Sequence, residues 1–259
     1  MLTILSPAKK LNLNCSFNQE NITYPNFSSK ANELINILRT KSKEDLMNLM
    51  KISDNLAELN QQRNKDFNES HNINNSFPAA KFFDGEVYNG LEFNNLSKKT
   101  DNIAYAQNHL RILSGLYGVL KPMDLIQPYR LEMGSQLANN SGKNLYQFWS
   151  DIVTDYLNNE LDKHENKIII NLASVEYSKV INKKKLRHKI YNISFKDNIN
   201  GKLRTIMVYA KNARGLMANS IIKNKIDDLE ILKELIINDY KYSFDNSKNE
   251  EELIFIRNN

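Results

Sequence analysis

The chain has 259 residues, enough to bury a real core as one large domain or two small ones, and its 41% hydrophobic and 25% charged content excludes a disordered polymer. No apolar run of about 18 residues marks a membrane span, Leu2 to Leu5 is too short for a signal peptide, and the single cysteine, Cys15, excludes an intramolecular disulfide and fits a reducing cytosol. A net charge of +5 favours polyanionic partners without requiring one.

Leu2 to Leu5 reads as a buried strand closed by Ser6-Pro7, and a loop follows through Asn26. Ser28 or Ser29 caps a helix carrying Leu34, Ile35 and Leu38. Ser42 opens a second with Leu46, Leu49 and Met50, and Ser53-Asp54 a third that runs to about Phe67. Residues 69 to 77 are polar loop, and Pro78-Ala79-Ala80 suits a short helical turn. Asp101 caps a helix with Ala104, Ala106, His109, Leu110 and Leu113 inward, which delivers the chain to Gly115. Asn144 to about His164 is a long amphipathic helix, and Lys167 to Asn171 is a β-branched buried strand. Lys189 to Lys196 and Leu203 to Tyr209 alternate around Asn200-Gly201, a hairpin signal. Helices from Asn212 to about Lys223 and from Asp228 to Ile237 come next, then short strands at Tyr240 to Phe244 and Leu253 to Ile256. With no internal repeat and no linker, residues 1–259 read as one mixed α/β domain, a mixed sheet flanked by helices.

Leu113-Ser114-Gly115-Leu116-Tyr117-Gly118-Val119-Leu120 has two readings. In one it is the turn of a helix-hairpin-helix whose amides face a phosphate; in the other, a glycine-capped helix end. Ser6-Pro7-Ala8-Lys9 has the spacing in which lysine activates a serine, but the companion motifs of such enzymes are missing. Lys9 and Lys10 instead sit where a strand end meets a ligand crevice, or are simply solvated. Arg130 offers a phosphate fork, and Glu132 can orient a cation or act as an acid/base group; an internal ion pair is the plainer alternative. Asp124 reads as a turn residue. Lys211 and Arg214, three apart after a strand, share a helix face near an anion-favouring N-terminus. Glu176 is either a catalytic carboxylate or, preferably, a partner for Lys211 or Arg214. His71, His109, His164 and His188 are dispersed along the chain, so neither a metal site nor a cofactor is expected, and direct iron storage is disfavoured.

Six blocks in order, Ser6-Pro7-Ala8-Lys9, His109-Leu110-Arg111 with the glycine stretch, Pro128 to Gly134, Leu145 to Trp149, Asn171 to Ser174, and Lys211 with Ala213 to Met217, resemble the bacterial YaaA family of peroxide-stress proteins from end to end. That resemblance implies an unusual mixed α/β fold with a basic cleft and a helix-hairpin-helix. It also implies a monomeric, cytoplasmic protein that binds double-stranded or structured DNA and limits oxidative damage by peroxide and iron. The implied DNA contacts are Lys9, Lys10, Arg111, Ser114, Gly115, Tyr117, Gly118, Lys121, Arg130, Lys211 and Arg214. Were the cleft an enzyme's, acting on DNA or a small anionic metabolite, Lys9, Glu132 and Glu176 would be the catalytic candidates. Two departures from the family pattern stand out: Asp84 replaces a lysine that some members carry, and Gly-x-x-Gly replaces the usual Gly-x-Gly.

Overall fold

The computed structural model describes residues 1–247 and 249–258. Its main sheet contains eight strands: Leu2–Leu5 (β1), Leu110–Ser114 (β2), Gly118–Leu120 (β3), Ile168–Asn171 (β4), Lys189–Ile199 (β5), Lys202–Arg204 (β6), Lys241–Tyr242 (β7) and Glu252–Asn258 (β8). All four residues of β1 are buried, as an all-round apolar run requires, and the strand lies inside the sheet. Thr3 stands opposite Leu110 on one side and Ile170 on the other, both pairings parallel. The order is β7-β8-β5-β4-β1-β2-β3. Strand β5 runs parallel to both β4 and β8, whereas β3, β6 and β7 are antiparallel to β2, β5 and β8.

Helices surround this sheet. Ser28–Arg39 (α1), Lys43–Met50 (α2) and Asp54–Asp66 (α3) form where the apolar spacings place them, but neither Ser28 nor Ser29 caps α1, whose N-cap is Phe27. Ser42 closes a reciprocal capping box with Asp45, each side chain accepting the other's backbone N–H. Ser42→Ala should therefore lower stability by about 1 kcal/mol in a urea melt, with little change in the denaturant slope. Glu86–Leu91 (α4), Thr100–His109 (α5), Leu145–Leu161 (α6) and Met207–Asn224 (α7) complete the main helices. Asn144 caps α6 by accepting from the Gln147 amide, and Ala79–Phe82 forms the short turn that Pro78 announces. No helix among the described residues is long and apolar enough to cross a membrane.

Several boundaries differ from the sequence reading: the helix expected over Asp228 to Ile237 spans only Leu229–Lys233, and Asp101 lies inside α5, whose N-cap is Lys99. Helix α5 stops at His109, and Leu110–Ser114 is a fully buried strand rather than the helix's last turn. The glycine stretch is thus a β-hairpin: Ile112 pairs with Leu120, and Ser114 with Gly118. Helix-hairpin-helix geometry is absent there because the elements on both sides of the turn are strands. Helix α7 begins at Met207, five residues before the expected start, so the strand after Asn200-Gly201 is shortened to Lys202–Arg204.

Helices α4 and α7 touch through their backbones. A Cβ at Gly215 would lie 1.9 Å from the Val87 carbonyl oxygen, and one at Gly90 2.3 Å from that of Asn212. Only glycine allows this approach.

Candidate functional site

Parallel strands β1 and β4 end side by side, and the loops leaving their carboxyl ends carry polar groups toward one crevice. Ser6 Oγ accepts the Ser174 amide at 2.8 Å and donates to Ser174 Oγ at 3.2 Å. From α4, the Tyr88 hydroxyl donates to the Ser6 carbonyl at 3.0 Å. The two loop ends are thereby joined to each other and to a helix.

The segment Tyr129 to Gly134 forms a further wall. Glu132 Oε1 meets Lys9 Nζ at 3.5 Å and the Arg130 NH2 group at 3.1 Å. Arg130 and Glu132 are mostly buried while Lys9 is exposed, so a solvent-facing ammonium stands at the mouth of an internal ion pair. The second carboxylate oxygen, Glu132 Oε2, is buried and has no hydrogen-bond partner. No protein group donates to this oxygen, which leaves it an acceptor for an incoming donor. Glu176 belongs to the same rim: its Oε1 accepts the Gly134 amide at 3.0 Å, and its carbonyl accepts from the Tyr146 hydroxyl at 2.8 Å.

Arg63 of α3, unremarked in the sequence, enters from the helical side. It donates to Asn60 Oδ1, and no carboxylate pairs with it among the described residues. Burial, with a smaller contribution from the like charge of Arg130, lowers its pKa. Arg63 thus lies within electrostatic reach of Arg130, while Glu132 pairs with Arg130 and Lys9 only. Burial pushes the phenols of Tyr88, Tyr129 and Tyr177 upward, so they remain neutral hydrogen-bonding groups.

The remaining candidates fall elsewhere. Every residue of the hairpin is buried, and its amides are engaged: Leu116 and Tyr117 N–H both donate to Ser114 Oγ, at 3.3 and 3.0 Å. That hydroxyl also bonds the Tyr129 hydroxyl at 2.7 Å, and the Tyr117 hydroxyl accepts from the Gln127 amide. Gly115 lies against the Leu131 carbonyl, 2.2 Å from where a Cβ would be, and its own carbonyl accepts from Trp149 Nε1 at 2.9 Å. Gly118, at φ +70°, leaves room for the Trp149 ring. The glycines consequently pack beneath the Arg130 segment and face no open surface.

Arg111 is 1% exposed and bound to Glu160, which removes it from any phosphate-facing role in this arrangement. Lys10 pairs with Asp84 at 2.6 Å, Lys211 is exposed one turn into α7, and Arg214 is half-buried with its Nε lacking a partner. Because α7 starts at Met207, Lys211 and Arg214 are not at a helix N-terminus. Glu176 pairs with neither of them, correcting that expectation. Lys9 turns to Glu132 instead of Ser6, so no serine–lysine pair forms. Asp124 does close a turn, accepting the Lys121 amide at 2.7 Å.

A mixed eight-stranded sheet flanked by helices, with Lys9, Arg130 and Glu132 meeting beyond the ends of its central parallel strands, defines a mixed α/β protein. The family model for the peroxide stress protein YaaA matches residues 1–247. A UPF0246 protein of Legionella pneumophila strain Lens is 48% identical over 244 residues, 94% of both chains. UPF0246 proteins of Crocosphaera subtropica and Alteromonas mediterranea are each 45% identical over 258 residues, covering 99% and 100% of this chain and 100% and 98% of theirs. The chain belongs to the YaaA family of peroxide stress proteins.

Proposed function

We propose that this protein acts in the cytoplasm as a DNA-binding member of the peroxide-stress response, holding duplex or structured DNA by its phosphates at the Lys9–Arg130 crevice. The observation that supports the reading is Arg63, a partly buried guanidinium that no carboxylate pairs among the described residues, within electrostatic reach of Arg130, which shares Glu132 with Lys9. An uncompensated buried cation is costly, and a phosphate at Arg63 would remove that cost through charge-assisted hydrogen bonds. DNA contacts are also assigned to Lys10, Lys121, Lys211 and Arg214, of which Lys10 and Lys211 are exposed and Lys10 would have to exchange its Asp84 partner for a phosphate. Contacts of this kind are salt-sensitive and indifferent to sequence.

Fluorescence anisotropy with a labelled duplex and a four-way junction, at two salt concentrations, tests this. Arg130→Met should weaken binding several-fold and reduce the log–log salt slope by about one. Wild-type affinity that is negligible at low salt, or unaffected by salt, would sink the proposal.

A second reading rests on the unpartnered Glu132 Oε2. A buried carboxylate oxygen beside a lysine suits acid/base chemistry on a small phosphorylated or carboxylated metabolite, with Lys9 and Glu132 touching it and Glu176 shaping the Gly134 turn. Saturable binding of a small anion that is abolished by Glu132→Gln, in a protein with no affinity for DNA, would favour this enzyme over the DNA binder.

A further inference from the structure

The crevice lies beyond the carboxyl end of β1, and at the opposite end of the same strand the fold gathers residues that sequence alone keeps apart. His109 ends α5, His164 follows α6, and Asp227 follows α7. The imidazole rings of His109 and His164 are 4.7 Å apart at an interplanar angle of 76°. One ligand-capable atom from each of the three residues lies within 4.8 Å of the others.

We propose that His109, His164 and Asp227 form a binding site for one divalent transition-metal ion of the zinc, cobalt or nickel class. Two imidazoles and a carboxylate are the donor set that borderline divalent cations prefer, and all three come from ends of different helices, as in sites that tie a fold together. The rings are held in place before any ion arrives. His109 Nδ1 is 2.9 Å from the Met1 carbonyl, and the Tyr105 ring stacks on His109 at 3.9 Å with planes 6° apart. Tyr105 is itself tethered, its hydroxyl donating to the Ile226 carbonyl beside Asp227. Oriented imidazoles bind metal more tightly because less freedom is lost on ligation.

The Met1 amine nitrogen stands 2.5 Å from Asp227 Oδ1 and 3.3 Å from His164 Nδ1. A divalent ion would take over the Asp227 oxygen from this ammonium, with water completing its shell. Arg111, whose charge reaches both rings, is neutralised by Glu160.

The four residues of β1 separate this cluster from the crevice by roughly 13 Å at the usual rise. The ion would therefore serve stability and not the chemistry of the crevice, and the inference does not depend on the function proposed above.

Titration of the intact, chelator-treated protein with Co(II) should give one equivalent of uptake and the intense visible bands of a low-coordinate cobalt centre. His164→Ala and Asp227→Asn should each weaken uptake by roughly tenfold or more, while His71→Ala, outside the cluster, should leave it unchanged. Zn(II) should raise the melting temperature of the wild type, a readout that needs no variant to fold. Absence of stoichiometric uptake, no thermal shift with Zn(II), or His164→Ala binding Co(II) as well as the wild type would each overturn the assignment.

Discussion

Arg111→Met is expected to cost about 3–5 kcal/mol of folding free energy, because it removes one partner of a buried ion pair and leaves the other behind. The Arg111 guanidinium donates to the carbonyls of Gln107 and Leu110 at 2.8 and 2.7 Å, to the Tyr156 hydroxyl at 3.1 Å, and to Glu160. Methionine fills the space but satisfies none of these acceptors. Glu160 reports the same coupling in its acidity. Burial pushes its carboxyl up, but hydrogen bonds and charge from Lys163 and Arg111 outweigh that and hold its pKa at about 2, against an ordinary 4.5. A depressed folded-state pKa gives stability that is fully present above the unfolded value and is lost as pH falls through the folded one. Wild-type stability should thus fall between pH 4.5 and 2, by up to about 3 kcal/mol from this group. Arg111→Met should show a shallower acid limb, because only Lys163 remains. Urea unfolding across that pH range checks both statements; a variant within about 1 kcal/mol of wild type at neutral pH would refute the first.

Gly215→Ala should be comparably severe, against the usual gain of about 1 kcal/mol when alanine replaces glycine inside a helix. The new methyl carbon would sit 1.9 Å from the Val87 oxygen and 2.7 Å from the Leu91 nitrogen, both backbone atoms that no rotamer change can move. Helix α4 must shift, at an expected cost of about 3 kcal/mol or more. Tyr88 on α4 anchors Ser6, so the displacement should also weaken ligand binding at the crevice in protein that still folds. Gly201→Ala is the matched control. It has φ +78° but no atom within 4 Å of the added carbon, so only backbone strain of about 1–2 kcal/mol should appear. Equal melting temperatures for the two variants would show that the helix contact is not the tight point.

Much of this was legible in the chain. Apolar spacing located α1 to α3 and α6, and Asn200-Gly201 marked the β5–β6 turn at its positive-φ residues. Leu110–Ser114 was not legible, since Ala106, Leu110 and Leu113 fit a helical period while a strand buried on both faces has no alternation to reveal it. The start of α7 was hidden because Ile206 at its cap offers no side-chain bond. In the crevice, Arg130, Glu132 and Lys9 were named and do meet, because strand-end loops converge by topology. Arg63 was missed, since on α3 it looks like any solvated helical cation, and only tertiary packing turns it toward Arg130. The His109–His164 contact is likewise a product of three helix ends meeting, which linear spacing cannot encode.

The buried hairpin changes what recognising such a chain means. Ser114 to Leu120 is among the easiest stretches to match by eye, yet none of its side chains reaches solvent and its glycines make room for Leu131 and Trp149. A relative could keep that block intact, exchange Lys9, Arg63 and Arg130 for neutral residues, and still be assigned to the same group. Shared signature would then certify shared architecture only, and the proposed binding would have to be judged from the three cations.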